Sequence, residues 1–239
     1  MASPLFSLKG KTVLITGCTR GIGASSALAL AQAGASSIVL VQRDRSNLAT
    51  HDAIVKLGLG TRVHVLEADL ADLEAVRRIF GRACECAGIQ RRYPSAEFPE
   101  SEWDESLAPL PSRRQTHDLH QSRRQNHQFR LLLTFQGGLT VPAYAAAKGA
   151  VGQFTKSLSN EWASKGVQVN AICPGYVETD MNEKLLADPT RLRQISERIP
   201  AGRWGTPEDF AGPVVFLASK ASDYVSGELL VVDGGWMGR

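Results

Sequence analysis

Thr12-Val13-Leu14-Ile15-Thr16-Gly17-Cys18-Thr19-Arg20-Gly21-Ile22-Gly23 is the stretch that decides the fold of this chain. Residues 12–15 form an apolar run of strand length. They lead straight into a glycine-rich turn, and residues 23–33 then read as an Ala-rich helix. A strand that turns over glycines into a helix aims backbone N–H groups and the positive helix end at one point, which suits a pyrophosphate. Gly17 permits the tight turn; Gly21 and Gly23, with Ile22 between them, allow close approach. The spacing is Gly-x-x-x-Gly-x-Gly, not the commoner Gly-x-Gly-x-x-Gly. Such a turn can also serve only to redirect the chain, but its place after a first strand favours a dinucleotide cradle.

Working outward, strand-like runs alternate with helix-like ones. Residues 37–41 and 63–66 are further strands, the second leading to Asp69, and 73–80 is helical in pattern. Residues 144–165 form a long helix with apolar positions Ala147, Val151, Phe154 and Leu158. Residues 167–173 are a buried strand. Another helix begins at Pro207, with Thr206 as its N-cap. Residues 229–232 are a final strand, closed by Asp233-Gly234-Gly235. This alternation predicts an α/β chain: a Rossmann-like, doubly wound parallel sheet in one domain spanning 1–239. The 239 residues are 43% apolar, enough for a core, and the net charge of +3 is too small to imply a nucleic-acid or membrane partner. No run approaches a membrane span, and residues 1–9 lack the apolar stretch of a signal peptide. The four cysteines (Cys18, Cys84, Cys86, Cys173) form no disulfide framework, which points to the cytoplasm. Cys84 and Cys86 have no second pair at zinc spacing, so no metal is expected.

The end of the second strand should read the adenosine ribose. An acid there favours NAD and a base accepts the extra phosphate of NADP. Here it reads Gln42-Arg43, and Arg20 precedes Gly21, so two guanidiniums are available for a 2′-phosphate. Asp44 is the competing signal, two positions beyond Gln42. The expectation is NADP(H) over NAD(H). Asp69 and Leu70 follow the third strand, as acceptor and packing for the adenine.

Tyr144 and Lys148 lie four apart on a predicted helix and share a face. A phenol has a pKa of ~10. A nearby ammonium lowers it, making Tyr144 an acid and base for a carbonyl oxygen, while Lys148 also holds ribose hydroxyls. Alone the pair is commonplace; after a dinucleotide cradle it points to an oxidoreductase. Downstream, residues 170–179 leave a buried strand and turn at Pro174-Gly175. There the Val177 backbone and the Thr179 hydroxyl are placed for the nicotinamide carboxamide.

Together these residues resemble the short-chain dehydrogenase/reductase family. Within it, Ala87-Gly88-Ile89-Gln90-Arg91-Arg92, Arg198-Ile199-Pro200-Ala201-Gly202-Arg203-Trp204-Gly205 and Ala221-Ser222-Asp223-Tyr224-Val225-Ser226-Gly227 are similar to the 2-deoxy-D-gluconate 3-dehydrogenase type. The resemblance implies interconversion of a secondary alcohol and a ketone, on a sugar acid or a small carbonyl metabolite. It also implies a homodimer or homotetramer.

The chain departs from that family in its middle. The family Ser thirteen positions before the Tyr is Leu131 here, and the family Asn falls near Leu110. The usual Asn-Asn-Ala-Gly reads Glu85-Cys86-Ala87-Gly88. Residues 70–86 are too few for a helix, a strand and their loops. Residues 106–131 are an Arg/Gln/His stretch without apolar periodicity and without the interleaved aromatics of a nucleic-acid insert. Strands four and five are therefore expected to be damaged. One codon choice for residues 122–130, shifted by one base, reads Arg-Gly-Gly-Lys-Ile-Ile-Asn-Phe, a typical fifth strand of the family. The genetic code permits that reading, and the hypothesis it suggests is a frame-shifted or mis-spliced gene. The alternative to an enzyme is a non-catalytic nucleotide-binding homologue.

Overall fold

The computed structural model describes residues 3–72, 74–76, 78–79, 124–129, 135–136 and 142–239. They fall into two compact units, Leu8–Ser122 and Met1–Ser7 with Arg123–Arg239.

In the first unit the order is β1 (Thr12–Thr16), α1 (Gly21–Gln32), β2 (Ser37–Gln42), α2 (Ala49–Lys56) and β3 (Arg62–Glu67). The three strands are parallel in the order β1-β2-β3, with Thr12 opposite Ser37 and Val41 opposite Leu66. All six residues of β2 are buried, as a central parallel strand covered on both faces requires. Val39, Val41, Leu66 and Ala68 pack with Ala75 and Ile79 into one cluster. Glu74, Ala75, Val76, Arg78 and Ile79 are helical, in keeping with the pattern at 73–80. The sequence analysis missed α2, a helix of only eight residues. Asn47 opens it by accepting the Ala49 N–H at 3.3 Å.

In the second unit, β4 (Arg124–Phe129), α3 (Pro142–Trp162), β5 (Val167–Pro174), α4 (Glu183–Leu186), α5 (Pro189–Arg198), α6 (Ala211–Ala218) and β6 (Leu229–Val232) follow in turn. The strands are again parallel, in the order β4-β5-β6. All eight residues of β5 are buried, including polar Gln168 and Asn170. Their amides are spent on the segment before β6. Gln168 Nε2 donates to Asp223 O at 2.6 Å and Asn170 Nδ2 to Val225 O at 2.9 Å. Asn170 Oδ1 accepts the Glu228 N–H at 3.0 Å, so both ends of that amide are used. Ser159 on α3 meets Ser226 at 2.7 Å, tying helix and strand to the same segment. The helix at Pro207 begins as a 3-10 turn, Pro207–Phe210, and continues as α6.

One expectation is corrected here. A strand forms at Arg124–Phe129, inside the stretch expected to be damaged, with Arg124 opposite Val167 and Phe129 opposite Ile172. The backbone ladder to β5 satisfies N–H and C=O groups whatever side chains the strand carries, so pairing overrides the missing apolar pattern. The expectations for the fourth strand, and for Glu85, Leu110 and Leu131, lie outside the described residues. No helix among the described residues is long and apolar enough to cross a membrane.

Candidate functional site

β1 feeds the turn at Gly17, and α1 starts at Gly21. Gly17 (φ 62°) and Gly21 (φ 55°) take the left-handed backbone that favours glycine. A Cβ on Gly23 would run into the Gly17 carbonyl, so turn and helix meet backbone on backbone. Arg20 stands at the N-cap in extended conformation without a side-chain cap bond, and the first turn carries no acid. The amides around Ile22 and the positive helix end are therefore offered to an outside anion. The turn is anchored from behind. Thr50 Oγ1, on α2, donates to Cys18 O at 2.7 Å, and Cys18 Sγ lies 3.7 Å from Val41 O. Burial pushes the Cys18 thiol up to about 11, so it stays protonated at neutral pH. Neither Cys18 nor Thr50 was singled out from sequence; an apolar-looking Cys in a turn carries no signal of its own.

Arg43, Asp69 and Leu70 leave the same edge of this sheet, just past the ends of β2 and β3. Gln42 is buried, and its Nε2 donates to Asp44 O at 2.8 Å and Asn47 O at 2.6 Å. It braces the loop. The Asp44 carboxylate is engaged within its own turn, where Oδ1 accepts from Ser46 N (2.8 Å) and Ser46 Oγ (2.6 Å). Those two bonds lower its pKa, the hydroxyl more than the amide. Arg43 is exposed. Asp69 Oδ1 accepts the Ala71 N–H at 2.9 Å, and Leu70 packs on the Val39–Leu66 cluster.

In the second unit, Tyr144 and Lys148 sit one turn apart at the start of α3. Val177 and Thr179 lie just past the carboxyl end of β5. Here the loop is pinned by a turn the sequence analysis did not connect with it. Val177 forms a parallel bridge to Gly205: the Gly205 N–H donates to Tyr176 O at 2.9 Å and the Glu178 N–H to Gly205 O at 2.8 Å. Asn182 Nδ2 takes the Val177 carbonyl at 2.8 Å. Val177 is buried, and among the described residues its N–H meets no acceptor. A Cβ on Gly175 would lie 2.7 Å from Asp233 Cα, so only glycine lets β5 turn there. Tyr176 packs at 5.2 Å from Trp204 and 4.7 Å from Trp236, and Arg198 caps the Trp236 ring at 3.9 Å. Trp236 Nε1 donates to Gln136 Oε1 at 3.0 Å, which ties Gln136 to this cluster. Among the described residues no group of three His, Cys, Asp or Glu is placed to hold a metal.

A KR domain family model matches residues 11–179 of this chain, and a model described as Enoyl-(Acyl carrier protein) reductase matches 133–237. The chain is 44% identical to the 2-dehydro-3-deoxy-D-gluconate 5-dehydrogenase of Pseudoalteromonas atlantica, over 98% of each chain. It belongs to the short-chain dehydrogenase/reductase family.

Solved structures agree. One is a protein of Agrobacterium tumefaciens provisionally named 2-deoxy-D-gluconate 3-dehydrogenase, with bound NADP; it is 43% identical, with a TM-score of 0.82 over 99% of this chain and all of that one. Another is the gluconate 5-dehydrogenase of Burkholderia cenocepacia J2315 with NADP and tartrate, at 33% identity and TM-score 0.82 over 99% and 98%. The fold is thus that of Rossmann-like short-chain dehydrogenases. As a member of that family the chain is an NAD(P)(H)-dependent oxidoreductase that interconverts a secondary alcohol and a ketone. The alignment to the Pseudoalteromonas protein runs over 254 positions, more than the 239 residues of this chain, so the relative carries residues this one lacks.

Proposed function

We propose that this enzyme uses NADP(H) to interconvert a hydroxyl and a keto group on a sugar acid. The observation that carries the cofactor reading is the start of α1: without a side-chain cap bond from its N-cap residue Arg20, free of acids in its first turn, and built so that Gly23 has no room for a Cβ against Gly17. A dinucleotide pyrophosphate fits that cradle. Gly17, Arg20, Gly21, Ile22 and Gly23 hold the pyrophosphate end. Arg43, with Arg20, receives the 2′-phosphate. The Asp44 carboxylate, engaged by Ser46, is a poor rival for the ribose, and this supports NADP(H) over NAD(H). Asp69 and Leu70 face the adenine. The Val177 N–H and the Thr179 hydroxyl receive the carboxamide, and Lys148 holds the nicotinamide ribose. When bound, the nicotinamide supplies or accepts the hydride.

The proton is the protein's task. In reduction the Tyr144 phenol donates to the substrate carbonyl oxygen; in oxidation the phenolate takes that proton back. The Lys148 ammonium, one turn away, stabilises the phenolate and brings its pKa toward neutrality. The sugar-acid substrate rests on the names of the relatives, which divide between 5- and 3-dehydrogenases. The enzyme is read as a cytoplasmic homodimer or homotetramer whose other partner is this small molecule.

The test is turnover of 5-keto-D-gluconate and 2-dehydro-3-deoxy-D-gluconate with each cofactor. NADPH is expected to outperform NADH in kcat/KM, and Tyr144→Phe to lower kcat by ~10²–10⁴. One observation favours a second reading. Leu131, at the position of the family Ser, has no hydroxyl to hold the substrate oxygen. Tight NADPH binding with no turnover, restored in part by Leu131→Ser, would identify a non-catalytic homologue.

A further inference from the structure

The loop carrying Val177 is held by the turn around Gly205. In the parallel bridge to Gly205, both hydrogen bonds come from the residues flanking Val177. The N–H and C=O of Val177 itself therefore point away from Gly205. Wherever Gly205 is fixed, the direction of that N–H is fixed too.

Gly205 sits inside a ring of short polar bonds. Arg203 Nη1 donates to Asp209 Oδ2 and Arg203 Nη2 to Asp209 Oδ1, both at 2.7 Å. Arg203 Nη1 also donates to Trp204 O at 2.9 Å. The Thr206 N–H closes the ring on Asp209 Oδ2 at 2.7 Å. The residues before and after Gly205 are thus bonded to one fork-to-fork ion pair. Buried Trp204 adds a bond from Nε1 to Ser196 Oγ at 3.1 Å, and its ring packs on Tyr176.

The pair itself is in contact with water: the side chains are 60% exposed for Arg203 and 31% for Asp209. An exposed ion pair adds little to global stability. Its bidentate geometry and its two backbone bonds do something more specific, which is to set one turn in one conformation.

We propose that Arg203 and Asp209 are positioning residues for the oxidoreduction: through Gly205 they aim the Val177 N–H at the nicotinamide carboxamide. This rests on the role given to Val177 above.

The experiment compares two ligands on the full chain, NADPH and 2′-phospho-ADP-ribose, which lacks the nicotinamide. Affinities are measured by calorimetry for the wild type, Arg203→Ala, Arg203→Lys and Asp209→Asn. The last two keep, respectively, a cation and an acceptor for the Thr206 N–H, and serve if Arg203→Ala does not fold. Arg203→Ala is expected to weaken NADPH about tenfold, in line with the cost of small misplacements. It should leave 2′-phospho-ADP-ribose within about twofold, and Arg203→Lys should recover part of the loss. Equal weakening of both ligands, or a wild-type preference for NADPH that no variant changes, overturns the proposal and leaves the Val177 role standing. A wild type that binds both ligands equally overturns the Val177 role and the proposal with it.

Discussion

Gly23 shows how much one missing methyl decides. Its hydrogen faces the Gly17 carbonyl, and a Cβ cannot fit without moving backbone. Gly23→Ala is expected to cost ~1–3 kcal/mol of stability and to weaken NADPH at least tenfold, because the turn and the first amides of α1 move together; thermal melts and fluorescence titration check both. At Asp209 the consequence is one of pH. Hydrogen bonds from Arg203 hold its carboxyl at about 2, below the ordinary 3.8. A folded pKa below the unfolded one means stability that is complete above 3.8 and is lost as pH falls through 2. Melting temperature against acid pH is thus expected to fall less steeply in Asp209→Asn than in the wild type. The cradle glycines, Tyr144, Lys148 and Val177 were named from the sequence because special backbone and proton chemistry restrict the residue type, and the structure shows the glycine turn itself. Arg203 and Gly205 lie in a family-like stretch and Asp209 in the helix start that follows it, but nothing in their spacing tells that they grip the loop after β5.

β4 is the element where local pattern and fold disagree. Arg124-Gln125-Asn126-His127-Gln128-Phe129 has no strand periodicity, yet it pairs in register with a strand whose eight residues are all buried. A strand beside such a neighbour in a parallel sheet favours β-branched apolar residues on both faces. The shifted reading frame puts Ile at positions 126 and 127. The double substitution Asn126→Ile/His127→Ile is therefore expected to raise the melting temperature by several degrees, measured by calorimetry; a lower value would show that the present polar strand is already matched to its surroundings. Asn170 on β5 is the opposite case, a buried polar residue fully bonded and thus part of the register of β6. Its apolar neighbours marked the strand, whereas its partners, more than fifty residues away, were invisible in the sequence.

For the whole molecule, ligand and stability are linked, because a cofactor that binds only the folded chain stabilises it by about 2.7 kcal/mol at a hundredfold excess over its dissociation constant. NADPH is expected to raise the melting temperature more than NADH at equal concentration, and equal shifts would remove the preference for the phosphate. By itself the sequence determined the α/β alternation, the three strands of the first unit and the last two of the second, the glycine turn after β1 and the placing of Tyr144 and Lys148 one turn apart on a helix. These depend on short-range periodicity, on glycine's freedom of φ and on spacing along one helix, all properties of neighbouring residues. Only the tertiary structure decided that Arg124–Phe129 is a strand, that Thr50 anchors the cradle turn, and that the Arg203–Asp209 turn holds Val177. Each of these depends on a hydrogen-bond partner about thirty or more residues away, and a partner at that distance is supplied by the folded chain alone.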